Sequence, residues 1–367
     1  MRITALTAYP LGVAFKGGPY ITSYGARPTL NNLLLVMKTN VGLTGFGEIC
    51  RMNLKHEDPL GDAFLADLRP MLSAILGHDP CSMATTLAAL GNLPAHRSGI
   101  RAAVNGACLD LMAKAAGVPL HDVLGGQQTD RVPLYYTMGQ ATPEVMAKQA
   151  AAARDRGFSR FQVKVGAGLP DDADRVQAVL AVLGPDDKLL ADANGGFTVD
   201  QAKPVIAAVS DPRLYWEELC KTYDENLAVA EQTGARIVLD QCLVDLTVYA
   251  KACVSGLFAG CGLKPAIQGG VSAAQTARDL CIAHGVALKI DDNWALEVET
   301  VASLHLALGT PEHLILGACD QWHYFDENLT EETSQEPQPW FTAFDGAGLG
   351  FQLNLQALPA PVLEIRE

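Results

Sequence analysis

The sequence predicts a (β/α)₈ barrel with a smaller α+β domain capping it and a C-terminal segment that completes the cap. From residue 131 onward, short apolar runs alternate with stretches of helical spacing, as in a parallel sheet whose strands are joined by helices. Six runs end at or next to a charged residue, at intervals of 23 to 28 residues: Lys164, Asp192, Glu217, Asp240, Lys264 and Asp291. Because the strands of such a barrel all end at one rim, these charges predict an active site there.

Residues 1–130 form the predicted capping domain. Alternation and β-branched residues predict strands in ITALTAYPL, NNLLLVMKT and FGEIC, within residues 1–50,. Residues 60–117 contain apolar side chains at helical spacing, in DAFLADLRPMLSAIL and RSGIRAAVNGACLDLMAKAAG,. Strands followed by helices indicate a small α+β unit ahead of the barrel.

The predicted barrel spans residues 131–325. Its eight strands are expected in VPLYYTMG, FQVKV, KLLADAN, LYWEEL, RIVLD, GLK, ALKI and HLILGA. Eight such units favour a closed barrel, with an open doubly wound sheet as the alternative. Residues 326–367 are polar and Pro-rich and end in the strand-like PVLEI, so we expect them to return to the capping domain. The glycines of GAGLG at 346–350 lack a strand–helix context and are interpreted as turns,.

Composition limits the classes of function. The chain has 367 residues and a formal net charge of −14, which disfavours nucleic acid as a partner. The nine cysteines form no CxxC pair, so we expect buried reduced thiols in a cytoplasmic protein. The N-terminus lacks the pattern of a signal peptide, and no apolar stretch approaches the roughly 20 residues that span a bilayer. We therefore expect no membrane partner.

Three of the charged residues predict a metal site. Asp192, Glu217 and Asp240 end the third, fourth and fifth barrel strands, and adjacent strands lie about 4.8 Å apart. Carboxylates that close repel one another unless a cation lies among them, and a site of oxygen ligands favours Mg²⁺. Asn194 could support a ligand from behind. The alternative is that the three acids only cap helices or form salt bridges.

The two lysines predict acid–base chemistry. Lys164 ends the second strand and Lys264 the sixth, so they should face each other across the mouth of the barrel. Burial and a nearby cation lower the pKa of a lysine towards neutrality, which makes it a general base. The alternative is that the lysines only neutralise the acids. A divalent metal together with a basic lysine suits removal of a proton next to a carboxylate, because the metal stabilises the charge that develops on the carboxylate.

The chain resembles the enolase superfamily, and within it the muconate-lactonizing-enzyme subgroup. GLTGFGEIC and AAVNGACLDLMAKAAGVPLHDVLGG resemble the N-terminal domain of that subgroup, and FQVKVG, LADANGG, YWEELC, VLDQCL and GLKPAIQGG resemble its barrel motifs. The resemblance implies that Lys164 and Lys264 are acid–base residues and that Asp192, Glu217 and Asp240 bind Mg²⁺. It also implies a homo-oligomer, either a dimer or an octamer.

The sequence departs from this subgroup at several positions. Gln162 stands where the family often has a first lysine, Glu218-Leu219 where it has Gln-Pro, and Gln241 where it has Glu. The strand-seven segment KIDDNWALEVET resembles that of hydroxyproline-betaine epimerases and cis-3-hydroxyproline dehydratases. That resemblance implies an Asp that meets a substrate ammonium group. We assign it to Asp291, with Asp292 as the alternative and Trp294 as a neighbouring contact.

Other substrate contacts are expected on loops. On strand eight, Cys319 takes the place of the aromatic residue that betaine epimerases use, with Trp322 as a possible substitute,. Asp320 follows it and would suit an unmethylated amine. In the N-terminal domain, residues 15–27 and the loop after Cys50 read as mobile segments near the substrate, and the alternative is an ordinary solvated loop. Their candidate contacts are Lys16, Tyr20, Tyr24, Arg27, Arg51, Met52 and Asn53.

The sequence thus predicts a Mg²⁺-dependent racemase or epimerase that acts on a small-molecule carboxylate, such as a proline-like or N-substituted amino acid. A dehydratase of a hydroxylated amino acid and a muconate-type cycloisomerase are the alternatives within the same fold. A catalytically inactive binding barrel is the alternative outside enzymes.

Overall fold

The computed structural model describes residues 1–22, 25–50, 62–93, 97–168, 170–292, 294–325, 329 and 338–367. For residues 20–22, 25–27 and 62 the description is limited to the backbone. The strands are β1 (Ile3–Ala14), β2 (Tyr20–Thr22), β3 (Gly25–Arg27), β4 (Thr29–Thr39), β5 (Thr44–Ile49), β6 (Val132–Pro133), β7 (Tyr136–Met138), β8 (Arg160–Lys164), β9 (Lys188–Asp192), β10 (Leu214–Glu217), β11 (Ile237–Leu239), β12 (Gly260–Leu263), β13 (Ala287–Ile290), β14 (Ile315–Ala318), β15 (Trp340–Phe341) and β16 (Leu363–Arg366).

The helices fall into two groups. Those of the N-terminal region are α1 (Asp62–Ser73), α2 (Met83–Ala89), α3 (Ser98–Ala116) and α4 (Leu120–Val123). Those that follow barrel strands are α5 (Pro143–Asp155), α6 (Asp171–Leu180), α7 (Val199–Ala208), α8 (Tyr223–Thr233), α9 (Leu246–Ser255), α10 (Pro265–Gln268), α11 (Val271–Ala283) and α12 (Glu297–Leu308).

The N-terminal strands form an antiparallel sheet in the order β16-β1-β4-β5. Helix α3 lies directly on β5, and two glycines allow the close approach. A Cβ atom on Gly47 would lie 1.9 Å from the carbonyl oxygen of Ala103, and one on Gly45 would lie 2.4 Å from that of Ala107. Strand β16, from the end of the chain, pairs with β1, which agrees with the expected return of the C-terminal segment.

The barrel prediction is confirmed. Among the described residues, β7 to β14 form a parallel sheet of eight strands in sequence order. A bridge between Leu134 and Ala318 joins the first strand region to the last, and the backbone N–H of Tyr135 donates to the carbonyl of Ala318 at 3.0 Å. The sheet therefore closes on itself, which excludes the open doubly wound sheet. The limits at residues 130 and 325 stay a proposal.

The barrel interior contains an apolar layer beneath the charged rim. Leu190, Tyr215, Val238 and Leu316 form one buried cluster. The first three precede Asp192, Glu217 and Asp240 by two positions. Because side chains on a strand alternate between its faces, residues two apart point the same way. The acidic side chains therefore point into the barrel, above the apolar layer.

The C-terminal segment ties the two parts of the chain together. Strand β15 pairs with β6 at the start of the barrel, and Gly348 bridges to Pro119. The glycines at 346, 348 and 350 all have positive φ, as the interpretation of GAGLG as turns requires. All nine cysteines are free thiols, and eight of them are buried. Within the described part of the chain, no helix is both long and apolar enough to cross a bilayer.

Candidate active site

The three predicted metal ligands lie at one level of the barrel. Asp192 ends β9, Glu217 ends β10 and Asp240 follows β11. Their relative exposures are 1%, 0% and 5%, and Glu217 pairs with Asp192 across the two strands. The tightest carboxylate group among the described residues, however, is Glu217, Asp240 and Asp291, whose oxygen atoms lie within 4.8 Å of one another. Asp291 thus joins the acidic cluster that the sequence assigned to three residues.

The turn after β9 orients the carboxylate of Asp192 through two hydrogen bonds from Asn194. Asn194 has a positive φ of 47°, a conformation that Asn tolerates better than most residues. Its backbone N–H donates to Asp192 Oδ1 and its side-chain amide to Oδ2, both at 2.8 Å. This is the supporting contact that the sequence predicted for Asn194.

Asp192, Glu217 and Asp240 form a row along the rim, here called the acidic arc. The two predicted catalytic lysines contact its opposite ends. Lys164 Nζ lies 2.5 Å from Asp192 Oδ2, and Lys264 Nζ lies 2.6 Å from Asp240 Oδ2. Lys164 ends the second barrel strand and Lys264 follows the sixth, with the three acid-bearing strands between them. The lysines therefore approach the acids from two sides of the barrel mouth.

Burial and the neighbouring acids act in opposite directions on the pKa of Lys264. Burial alone would lower it, but the carboxylates of Asp240 and Asp291 outweigh burial and raise it above its ordinary value. The lowering expected from the sequence requires a cation beside the lysine, so it stays a prediction.

The donor set fits a hard divalent cation. The carboxylates supply only oxygen atoms, as Mg²⁺ prefers. Asp240 Oδ2 bonds to Lys264, whereas Asp240 Oδ1 is buried and has no hydrogen-bond partner among the described residues. Burial and the charges of Asp192 and Asp240 raise the pKa of Glu217 to about 7. Excess negative charge and a buried acceptor without a hydrogen-bond partner are both features that suit a cation site.

Two residues of the site were missed by the sequence reasoning. Lys289, which is 1% exposed, lies in β13 and its Nζ contacts Glu217 Oε1 and Asp291 Oδ2, the latter at 2.8 Å. The hydroxyl of Tyr135 donates to Asp291 Oδ1. Lys289 precedes Asp291 by two positions, so strand alternation alone places both on one face. A lysine in the middle of the apolar run ALKI was the available signal.

The structure also separates the paired aspartates. Asp291 points to Lys264, Lys289 and Tyr135, so it lies in the site. Asp292 points to its own loop, where its carboxylate accepts from the backbone N–H of Trp294 at 3.0 Å and from Thr300 Oγ1 at 2.7 Å. Burial raises the pKa of Asp292 to about 6. The substrate role of Asp291 stays a prediction. The geometry does not favour a substrate role for Asp292, because its carboxylate is already bonded to Trp294 and Thr300.

The other predicted substrate contacts are less central. Asp320 is 1% exposed and its Oδ1 accepts from the backbone N–H of His323 at 2.9 Å, so it is engaged within its own loop. The ring of Trp294 packs edge-on against Phe15 at 5.2 Å. Only the backbone of Tyr20 is described, in β2, and Tyr24 and Arg51 lie outside the described residues.

The positions that depart from the family pattern have local roles. Gln162 Nε2 donates to Glu217 Oε2 at 2.8 Å. At the position where the family often has a first lysine, this chain therefore has an amide that orients one of the acids. Glu218 is buried with a φ of 39°, and its carboxylate accepts from the backbone N–H groups of Asp240 at 2.6 Å and Cys242 at 2.8 Å. Glu218 thereby fixes the turn that presents Asp240.

Comparisons with known proteins agree with this architecture. Residues 5–125 match the mandelate racemase / muconate lactonizing enzyme N-terminal domain, and residues 145–357 match the enolase C-terminal domain-like family. The chain is 31% identical over 371 residues to a cis-3-hydroxy-L-proline dehydratase of Roseibium aggregatum, covering 99% of both chains. It is 27% identical to an N-succinylamino acid racemase of Thermus thermophilus, covering 97% of this chain and 96% of the relative.

A solved structure is also similar over the full length. A mandelate racemase/muconate lactonizing enzyme from Roseovarius nubinhibens, complexed with magnesium, superposes with a TM-score of 0.91 at 29% identity and covers 100% of both chains. The family matches together span more than half of the chain, and the resemblance inferred from the motifs is confirmed. The chain therefore belongs to the mandelate racemase/muconate lactonizing enzyme group of the enolase superfamily and is an enzyme of that superfamily.

Proposed function

We propose that this enzyme removes the α-proton of a small-molecule carboxylate in a Mg²⁺-dependent reaction, and that it racemises or epimerises a small amino acid or an N-substituted derivative. The observation that carries the proposal is the pair of lysines, Lys164 and Lys264. Each of them is hydrogen-bonded to the acid at one end of the acidic arc. A substrate seated over that arc would present opposite faces of its α-carbon to the two amines.

Asp192, Glu217 and Asp240 would hold the metal in this proposal. A solved relative at 29% identity is described as complexed with magnesium, which supports the assignment. When bound, the cation would supply stabilisation of the negative charge that builds up on the substrate carboxylate. Asn194, Gln162 and Glu218 orient the three acids through the contacts described above.

The lysines would carry the protons. One neutral amine takes the α-proton from its face of the carbon, and the opposing ammonium group returns a proton to the other face. Reversing the direction exchanges the two roles. The expected substrate is therefore one in which both configurations at the α-carbon fit the same pocket.

Dehydration of a hydroxylated amino acid is the second candidate. It is favoured by the relative that is 31% identical over nearly the full length and is named a cis-3-hydroxy-L-proline dehydratase. In this reaction one lysine takes the α-proton and the other assists departure of hydroxide from the neighbouring carbon. The pair of lysines suits both reactions, so the products must distinguish them.

Turnover in D₂O tests both candidates. The purified enzyme with Mg²⁺ is incubated with proline, cis-3-hydroxyproline and N-succinylamino acids of both configurations, and the products are followed by NMR. Epimerisation gives α-deuterated material of both configurations, whereas dehydration consumes the substrate. If no α-deuterium enters any carboxylate of the panel and none is consumed, both candidates fail and the inactive binding barrel gains support.

Variants of the two lysines sharpen this test. Lys164→Ala and Lys264→Ala should each abolish deuterium exchange from one face of the α-carbon and retain it from the other. Lys188→Ala is the matched control, because Lys188 begins β9 at the opposite end from Asp192. Loss of exchange from both faces in either single variant would contradict the assignment of one base to each face.

We further propose a cytoplasmic homo-oligomer, either a dimer or an octamer. Light scattering coupled to gel filtration measures the molar mass directly. A monomer at micromolar concentration would contradict this proposal.

A further inference from the structure

The segment between β13 and α12 has an unusual backbone. This strand-seven loop begins with Asp291, which contacts Lys264 and Lys289. Trp294 in the same loop has a φ of 62°, in the left-handed region that a bulky side chain adopts only when its surroundings enforce it. The conformation of this loop is therefore imposed by neighbouring residues.

The N-terminal domain supplies one of these restraints through Asn32 in β4. Asn32 is 1% exposed, and its side-chain amide donates to the carbonyl of Trp294 at 2.9 Å. The backbone N–H of Trp294 donates to Asp292 Oδ1 at 3.0 Å. Both backbone groups of the left-handed residue are thus bonded, one of them from across the domain boundary.

Glu48 in β5 supplies the second restraint. Its carboxylate accepts from the backbone N–H of Leu296 at 2.8 Å and from that of Glu299 at 3.3 Å. Leu296 is the residue that precedes α12 and offers no side-chain cap of its own. Glu48 therefore caps a barrel helix from another domain, through the two backbone hydrogen bonds that its side chain accepts,.

The two restraints are joined to each other and to the first N-terminal loop. Asn32 Nδ2 also donates to Glu48 Oε1 at 2.7 Å, so one amide links the loop carbonyl and the capping carboxylate. The ring of Trp294 packs between Phe15 at 5.2 Å and Tyr324 at 5.2 Å. Phe15 follows β1 and starts the segment that the sequence predicted to approach substrate.

We propose that Asn32 and Glu48 are positioning residues that hold the strand-seven loop, and through it keep Asp291 beside Lys264. Within the site, Asp291 Oδ2 contacts Lys289 Nζ at 2.8 Å and approaches the proposed base Lys264 at 3.7 Å from Nζ. Lys164 lies on the far side of the arc, where it contacts Asp192. Loosening the loop should therefore impair the chemistry of one lysine and spare that of the other.

Hydrogen–deuterium exchange of backbone amides tests the structural half of this inference without any substrate. Asn32→Leu keeps the approximate shape and removes both donated hydrogen bonds. Glu48→Gln places an NH₂ group against N–H donors of α12. We expect amides of residues 294–299 to exchange at least about tenfold faster in both variants, and those of β9 and β10 to stay unchanged.

Asn31→Leu is the matched control, since Asn31 is the neighbouring residue of β4 and is exposed. It should leave exchange in residues 294–299 at the wild-type rate. If Glu48→Gln does not fold, Asn32→Leu alone decides. Equal exchange rates for Asn32→Leu and Asn31→Leu in this segment would overturn the inference.

The catalytic half rests on the proposed function and is read from the face-resolved α-deuterium exchange. Asn32→Leu should lower exchange at the Lys264 face about tenfold and that at the Lys164 face by less than about twofold. An equal loss at both faces would show a merely structural role and would refute the positioning. If wild-type enzyme exchanges no α-proton, the proposed function fails, and the amide measurement still decides the restraint of the loop.

Discussion

At the scale of single residues, Lys289 changes the charge balance of the site. Four carboxylates and three ammonium groups converge there: Asp192, Glu217, Asp240, Asp291, Lys164, Lys264 and Lys289. One formal negative charge is left over, which a divalent cation more than compensates. Lys289 is the most buried of these three lysines, at 1% exposure, so it acts as a fixed counter-charge inside the barrel.

Replacement of Lys289 by Met should therefore separate stability from metal binding. Glu217 and Asp291 lose their common cation, and breaking a buried ion pair from one side costs about 3–5 kcal/mol. The metal-free variant should unfold at lower temperature than the wild type. Added Mg²⁺ should raise its melting temperature by more than it raises that of the wild type, because the uncompensated acids gain more from a cation. Thermal unfolding with Mg²⁺ or EDTA measures both effects.

Lys188→Met is the control for this prediction. Lys188 is also partly buried, and burial lowers its pKa to about 8, but it lies at the start of β9, away from the acids. Its replacement should leave the Mg²⁺-induced shift unchanged. An equal shift in Lys289→Met and in the wild type would refute the role of Lys289 as a counter-charge.

The sequence located the site residues that stand at strand ends and missed those that reach it from elsewhere. Asp192, Glu217 and Asp240 were predictable because each stands at the end of an apolar run, and the ends of successive barrel strands meet at one rim. Lys289 was not, since its run continues to Ile290 and Asp291 drew attention instead. Tyr135 was out of reach, because a tyrosine in an apolar run is equally typical of a core.

At the scale of elements, the sixth barrel strand is shaped by glycine. A Cβ atom on Gly262 would lie 2.9 Å from Asp240 Oδ1, the oxygen that has no hydrogen-bond partner among the described residues. Strand β12 therefore leaves room for the carboxylate of its neighbour, and a methyl group there must displace it.

Gly262→Ala should consequently weaken metal binding as well as stability. Overpacking costs about 1–3 kcal/mol, and displacement of Asp240 should lower the affinity for Mg²⁺, measured by calorimetric titration. Gly260→Ala, on the same strand, is the control. Its Cβ would meet the end of the Leu316 side chain at 2.8 Å and the carbonyl of Ala287 at 3.0 Å, so it should cost stability only. Wild-type affinity in Gly262→Ala would refute the argument.

Strand existence was predictable at this scale, and strand limits were less so. The run VPLYYTMG was expected as one strand, but β6 pairs antiparallel with β15, and β7 pairs with β8. The chain between them bonds to Ala318 at the closing seam. A short run thus has three partners, and a partner that comes more than 200 residues later in the sequence, as β15 does, leaves no local signal. The helix α10, directly after Lys264, was likewise not expected.

At the scale of the whole molecule, a buried histidine pair joins three parts of the chain. His121 lies in α4, His305 in α12 of the barrel, and Leu349 in the C-terminal segment. His305 Nδ1 accepts from the backbone N–H of His121 at 3.3 Å, so Nε2 carries the hydrogen and faces the carbonyl of Leu349 at 3.4 Å. This contact could not be predicted from the sequence, because it depends on how the N-terminal domain and the C-terminal segment pack against the barrel.

The contact of His305 with His121 and Leu349, here called the histidine seam, should make the protein sensitive to acid. Burial, aided by His121, lowers the pKa of His305 to about 3, against about 6.5 in an unfolded chain. Between these values the unfolded chain binds a proton that the folded protein excludes, so this contribution is complete above about pH 6.5 and is lost as the pH falls. At about pH 5 the loss amounts to about 2 kcal/mol.

Urea unfolding of wild type, His305→Gln and His284→Gln at about pH 7.5 and about pH 5 tests this expectation. The fall in unfolding free energy between the two pH values should be about 2 kcal/mol smaller in His305→Gln than in the wild type, because the variant has no imidazole at the seam to exclude a proton. Other buried groups, such as Glu48 and Glu218, titrate in both proteins and cancel in the comparison. His284 is exposed at the end of α11, so its variant should match the wild type. If His305→Gln loses as much free energy on acidification as the wild type, the seam carries no proton-linked stability, and the acid sensitivity of the fold must lie elsewhere.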